Sequence, residues 1–234
     1  MTKKNLFNDN LQFLHTSQKS MSLQIPGDTS RQITIDGPIS EEYQSANPRI
    51  LWVLKEPHGN GGGSLIEFLN GDFVLQSGKR YSKWASTYGT LIKVSHILLN
   101  PTMDTNRILS EYPYKNKGSL QKVALINLNK FGGGNRQSKH YYAGVEKCRN
   151  LVQRQILMLE PQIVICGSTF PDLANILEIT IEKHTPVWPS RDCFPSLTQN
   201  GRTYISAYHT GQTVLTQNKF LENVTHALSH PVHV

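Results

Sequence analysis

Four runs of mostly apolar residues punctuate the chain, and each stops abruptly at polar or glycine residues. The first is Ile50, Leu51, Trp52, Val53 and Leu54, which follows Pro48 and ends at Lys55, Glu56 and Pro57. The second, 123–126, ends at Asn127; the third, 163–166, ends at Gly167; the fourth and more mixed run, 203–208, ends at His209. Short runs without alternation predict strands buried on both faces. Between them the apolar spacing turns helical. Cys148, Leu151, Val152, Ile156 and Leu159 mark a helix over 145–159 stopped by Pro161, and Val214, Leu221, Val224 and Leu228 mark another over 213–228. The alternation predicts an α/β fold with a four-stranded, mainly parallel sheet flanked by helices on both faces. Ligands of such sheets bind outside the carboxyl ends of the strands, so the residues just after each run are the functional candidates.

The remaining pattern adds detail around this frame. Residues 1–46 are polar and mixed, with a short helix expected around 6–14 and a turn at Pro26 and Gly27, and are read as a wrap around a core over 48–228. One domain over 1–234 suits the length. Two glycine runs, 59–63 (with Asn60) and 132–134, follow strand ends and are expected to rim one cleft. Ser64, Leu65, Ile66 and Glu67 form a capping-box sequence that opens a helix, whose amides could receive a phosphate. No Gly-Lys-Ser/Thr follows the glycines, which excludes a nucleotide-triphosphate loop of that type.

Charge then narrows the partner. Lys and Arg number 24 against 17 Asp and Glu, a net charge of +7 spread along the chain, which suits a surface facing a polyanion. Lys130, Arg136 and Lys139, beside Phe131, Tyr141 and Tyr142, form a candidate DNA-facing segment. Cys148, Cys166 and Cys193 match neither a disulfide framework nor a metal clip, and Cys166 reads as a small core residue. With no long apolar span and a polar start, a cytoplasmic protein with no membrane contact is expected.

The strand ends supply a carboxylate (Glu56), a carboxamide (Asn127), a small hydroxyl turn (Ser168) and an imidazole (His209). Breaking an N-glycosidic bond builds positive charge on the sugar and negative charge on the departing base. A carboxylate can support the cation and orient a water. A neutral imidazole can donate a hydrogen bond to the base oxygen, and an Asn can read the edge of a flipped pyrimidine.

In these motifs the chain resembles the uracil-DNA glycosylase superfamily over about residues 48–215. Leu54-Lys55-Glu56-Pro57 stands where that family has its Gly-x-[Asp/Asn/Ala]-Pro turn, Asn127 closes the second strand, Gly167-Ser168 is the third-strand turn, and His209-Thr210-Gly211 occupies the slot of His-Pro-Ser. The resemblance implies a monofunctional glycosylase that flips a base out of DNA and needs no metal or cofactor. Glu56 would direct the water, His209 would stabilise the leaving base, Asn127 would read it, and Phe68, 12 residues beyond Glu56, would stack on it. Pro57, His58 and Gly59 would line the base pocket. Ser168, Thr210, Gly211, Gln212 and Thr213 would meet the DNA, single- or double-stranded, with the protein acting as a monomer.

The departures matter too. Glu replaces the family's Asp or Asn, Leu54 replaces the first Gly, and His58 stands where uracil-specific members place a Tyr that excludes thymine. A glycine-rich wall beyond His58 implies a roomier pocket, suited to a bulky modified pyrimidine such as a hypermodified cytosine of phage DNA, and hence a role in antiviral defence. Gln212 and Thr213 stand in the wedge region, implying a small polar wedge. Three cysteines exclude a four-cysteine iron–sulfur cluster. Two alternatives are a protein of this fold that binds DNA or a modified base without catalysis, and a nucleotide or nucleoside hydrolase using the glycine run.

Overall fold

The four apolar runs become adjacent strands of one sheet in the computed structural model, which describes residues 5–23, 30–59, 61–71, 85–111, 113–133, 140–182 and 185–233. In chain order the first half comprises α1 (Leu6–Ser20), β1 (Ser22–Leu23), β2 (Arg31–Gln32), β3 (Gly37–Pro38), β4 (Ile50–Leu54), α2 (Leu65–Asn70), α3 (Ala85–Leu99) and α4 (Thr105–Ser110). The second half comprises β5 (Val123–Asn127), α5 (Tyr141–Leu159), β6 (Ile163–Gly167), α6 (Phe170–Leu177), β7 (Ser196–Gln199), β8 (Arg202–Ala207), α7 (Gln217–Ser229) and β9 (Val232–His233).

The sheet runs β3-β5-β4-β6-β8-β7-β9. Its four inner strands β5, β4, β6 and β8 are parallel neighbours, with Trp52 opposite Leu125 on one side and Ile165 on the other. The sheet does not stop at those four: β3 adds antiparallel to β5, β7 antiparallel to β8, and β9 parallel to β7, so the whole is mixed. The sequence shows these additions poorly because β3 and β9 are two residues long each.

Successive residues of each inner strand face opposite sides, which is why unbroken apolar runs were needed. Leu51 and Val53 pack with Leu14, Tyr141, Cys148, Val152 and Leu173 beneath α1, α5 and α6. Ile50, Trp52 and Leu54 pack with Leu91, Ile92, Phe220 and Val224 beneath α3 and α7. The indole of Trp52 donates to Ser95 Oγ at 2.9 Å, so even this large core side chain leaves no polar atom stranded.

Two helix starts differ from the periodic pattern. Helix α5 begins at Tyr141, a turn before 145. Helix α7 begins at Gln217 rather than 213, because Gln212 Oε1 accepts from the amides of Val214 and Leu215 and holds 213–215 out of the helix. The Thr216 hydroxyl then caps the helix by accepting from Lys219 N. The turn expected at Pro26 and Gly27 lies outside the described residues.

The N-terminal segment is more than a wrap. Leu6 and Leu14 of α1 are buried in the core, β3 forms a sheet edge, and Asp36 between them is wholly buried.

Candidate functional site

The carboxyl ends of β4 and β5 stay zipped together past the strands themselves. Leu128 N donates to Leu54 O at 3.0 Å, Asn129 N to Lys55 O at 2.9 Å, Gly133 N to Pro57 O at 2.9 Å, and Gly59 N to Gly133 O at 2.9 Å. This seam fixes the half-buried Glu56. Asn129 Nδ2 donates to Glu56 Oε2 at 2.8 Å, while Asn129 Oδ1 accepts from Phe131 N at 3.0 Å. The backbone donor settles which end of the carboxamide faces the carboxylate.

Two glycines make room for the pair. A Cβ on Gly133 would lie 2.1 Å from Glu56 Oε1, and a Cβ on Gly144, in α5, would lie 2.2 Å from Asn129 Oδ1. No side chain fits at either position without displacing the pair. Tyr141, one turn before Gly144, is buried and donates to Asp172 Oδ2 at 2.9 Å. Burial and the Asp172 carboxylate, with a smaller contribution from Glu56, push its phenol well above the usual range.

Across the neighbouring strand lies the imidazole. Gly167 at the end of β6 permits the approach: a Cβ there would meet Leu54 Cδ2 at 2.8 Å and His209 Cα at 3.6 Å. Ser168 follows in the left-handed region (φ 60°), its amide on Ala207 O and its Oγ accepting from His209 N at 3.0 Å. Gly211 N donates to His209 Nδ1 at 3.1 Å. Nδ1 is therefore the acceptor nitrogen, and the proton of the neutral ring sits on Nε2. Burial, and then the nearby Lys55 ammonium, hold the imidazole pKa below its ordinary value. Among the described residues Nε2 has no hydrogen-bond partner, so its donor is available.

The other expected site residues fall into several environments. Pro57 and Gly59 line the seam, and His58 is exposed beside Gly133. Gly59 has φ 90°, and among the described residues nothing would lie within 4 Å of a Cβ built there. Phe68 is half-buried, its ring 6.0 Å from that of Tyr88, within the α3 side of the core. Thr213 is exposed.

Corrections are needed at four positions. Lys130, read as a DNA contact, is wholly buried: its ammonium lies 2.6 and 2.9 Å from the two oxygens of Asp36, and it cannot reach a phosphate. Asn127, read as the base reader, is 2 % exposed and belongs to the same network, its backbone amide on Asp36 Oδ2 at 2.8 Å. Gln155 and Asn10 complete that network, with Gln155 Nε2 on Asp36 Oδ1 at 3.1 Å and Asn10 Nδ2 on Asp36 O at 2.9 Å. Thr210 is 1 % exposed, within a turn closed by the bond from Gln212 N to His209 O at 3.0 Å. Gln212 spends its amide within its own loop, on Val214, Leu215 N and Leu215 O, and does not project as a wedge. Gly211 serves the site through its amide and through its close packing on Thr87, whose Oγ1 would be 2.4 Å from an added Cβ. Arg136 and Lys139 lie outside the described residues.

No protein-family model and no curated protein matches the sequence at a significant level. The site therefore has to be read from its own geometry. Asn129 is the residue the sequence did not single out: it lies two positions past the strand-closing Asn127, and only the continuing seam turns it toward Glu56. Among the described residues no helix is long and apolar enough to cross a membrane.

Proposed function

We propose that the chain is a DNA glycosylase of the uracil-DNA glycosylase kind, hydrolysing the base–sugar bond of a flipped pyrimidine. The observation that carries the reading is the state of His209. Gly211 N fixes its tautomer, burial and Lys55 keep it neutral, and Nε2–H is left as a donor at the same sheet end as a carboxylate clamped by Asn129. A neutral imidazole donor suits a leaving base that gathers negative charge, and a fixed carboxylate suits a sugar that gathers positive charge.

In this reading the C1′–N bond breaks with its electron pair departing on the base, whose oxygen accepts the hydrogen bond from His209 Nε2. Glu56 supports the sugar cation and holds a water whose oxygen bonds to C1′. One water proton passes through the carboxylate, and the base is finally protonated from solvent. Asn129 is a positioning residue, since its bond to Oε2 fixes the carboxylate. The substrate in this reading is bulkier than uracil, such as a modified cytosine, with a role against phage DNA; the glycine run after His58, and the lack of any described atom within 4 Å of a Cβ at Gly59, support room for it.

The test is base release from oligonucleotides carrying uracil, thymine or modified cytosines, read as free base by mass spectrometry and as alkali-labile abasic sites. Glu56→Gln and His209→Ala are expected to lose about a hundred-fold or more in rate. If wild type releases none of these bases, and both variants bind DNA as wild type does, the reading fails.

A further inference from the structure

Residues 31–36 run between two loops of the candidate site and bond to both. On one side Thr34 N donates to Lys130 O at 2.8 Å, and Arg31 Nη1 to Gly132 O at 3.2 Å. On the other, Ile35 N donates to Gly63 O at 2.9 Å and Leu65 N to Ile35 O at 2.8 Å. The three segments converge at Gly61, where a Cβ would lie 2.5 Å from Gln32 O and 2.7 Å from Phe131 O. Gln18 of α1 joins the same junction, its Nε2 donating to Ile33 O at 2.9 Å and to Gly62 O at 3.2 Å. One of the two loops carries Asn129, and the other follows the turn that carries Glu56.

The segment ends on Asp36, whose carboxylate grips the Asn129 loop at two points. Its Oδ2 accepts from Asn127 N at 2.8 Å, and Lys130 Nζ lies 2.6 Å from Oδ1 and 2.9 Å from Oδ2. Asn129 stands between those two points, and its own amide is tied to Lys55 O across the seam. Both side chains of the ion pair are wholly buried. Such a pair costs desolvation that a packed apolar pair of the same volume would avoid, so stability alone does not account for it. What it adds is direction, because a charge-assisted bond fixes the place and the orientation of the groups that make it. We propose that Asp36 and Lys130 are positioning residues that hold the backbone at Asn129 so that its carboxamide meets Glu56, and that residues 31–36 are a splint joining the two loops. The use of that position in base release rests on the glycosylase reading above.

The test is a double-mutant cycle on the full chain, with a second measurement that needs no activity. Asp36→Asn together with Lys130→Met removes both charges, so neither is stranded. The pair of changes is expected to slow base release about ten-fold at unchanged KM, and to add less than about two-fold in an Asn129→Leu background. A merely structural role would multiply equally in both backgrounds, and that result, or no slowing at all, overturns the proposal. The second measurement is hydrogen exchange of the Asn129 side-chain amide by NMR, its signal assigned by its loss in Asn129→Leu. Exchange should quicken about ten-fold in the double variant, and an unchanged rate overturns the proposal. Gln155→Met keeps both charges and removes the amide that donates to Asp36 Oδ1 at 3.1 Å. It should quicken the same exchange about three-fold, and an unchanged rate there is decisive against the proposal if the double variant does not fold. Wild type that releases no base, with an Asn129 amide that still loosens in these variants, removes the glycosylase reading and leaves the splint standing.

Discussion

Asn129 and Glu56 meet at 2.8 Å across a seam between two strands, and each is walled by a glycine that could not carry a side chain. The pair is built from both sides. Asn129→Leu is expected to keep the charge of Glu56 but remove the hydrogen bond that orients Oε2, lowering the rate of base release by about ten- to a hundred-fold with little change in KM. Single-turnover kinetics separates the two quantities.

Gly133→Ala approaches the same carboxylate from the opposite side and should cost a similar factor in rate. Gly144→Ala is the sharper case. Alanine in a helix normally stabilises by up to about 1 kcal/mol over glycine, but here its methyl would meet Asn129. A lowered Tm on thermal unfolding is expected, and a raised Tm would contradict the packing described.

The proton state of His209 sets an acid limit. Its folded pKa is lowered by burial and by Lys55, so the unfolded chain binds the proton more readily than the folded one. Stability from this group is fully present above the unfolded imidazole value of about 6.5 and falls as pH drops from there toward the folded pKa. Activity should hold through pH 6.5 and decline only on the acid side of it. Lys55→Met removes the second cause of the shift, so the acid limb should move to higher pH. An imidazole titration by NMR reads this directly, and an unmoved or lowered His209 pKa would exclude the Lys55 contribution.

Lys130 tests the correction made at that residue. Lys130→Met strands the Asp36 carboxylate in the core and is expected to destabilise by about 3–5 kcal/mol in urea unfolding. The double variant Asp36→Asn, Lys130→Met should recover part of that loss. Any variant that still folds should keep the wild-type salt dependence of DNA binding, since no phosphate contact has been removed.

His58 bears on pocket size. His58→Tyr places a larger ring beside Gly59, and should reduce release of bulky modified cytosines while sparing uracil. Equal loss on both substrates would count against that wall facing the base.

Much of this frame was legible in the sequence for a simple reason. Strands buried on both faces need unbroken apolar runs, and the functional side chains follow where those runs stop, as Glu56 and His209 do. The edge of the sheet was less legible. Strand β7 pairs with β8 through Asn200 and Gly201, both at positive φ (53° and 72°), so the signal for this edge is one Asn-Gly dipeptide between short, mixed strands rather than an apolar run. Helix α3 lacks a single apolar stripe: Leu91, Ile92, Val94 and Ile97 are buried together with Thr90, Lys93 and Ser95. Lys130 looked like a surface cation because its partner is 94 residues away. The burial of Asp36, and with it of Asn127, depends on the N-terminal segment folding over the sheet, which local patterning does not announce.

That separation has a consequence for how the protein is made. Asp36 emerges from the ribosome 94 residues before Lys130 and 119 before Gln155. Until both have followed, its carboxylate has no buried partners and must stay hydrated. The buried network around Asp36 can therefore be completed only once the second strand and the long helix behind it have been synthesised.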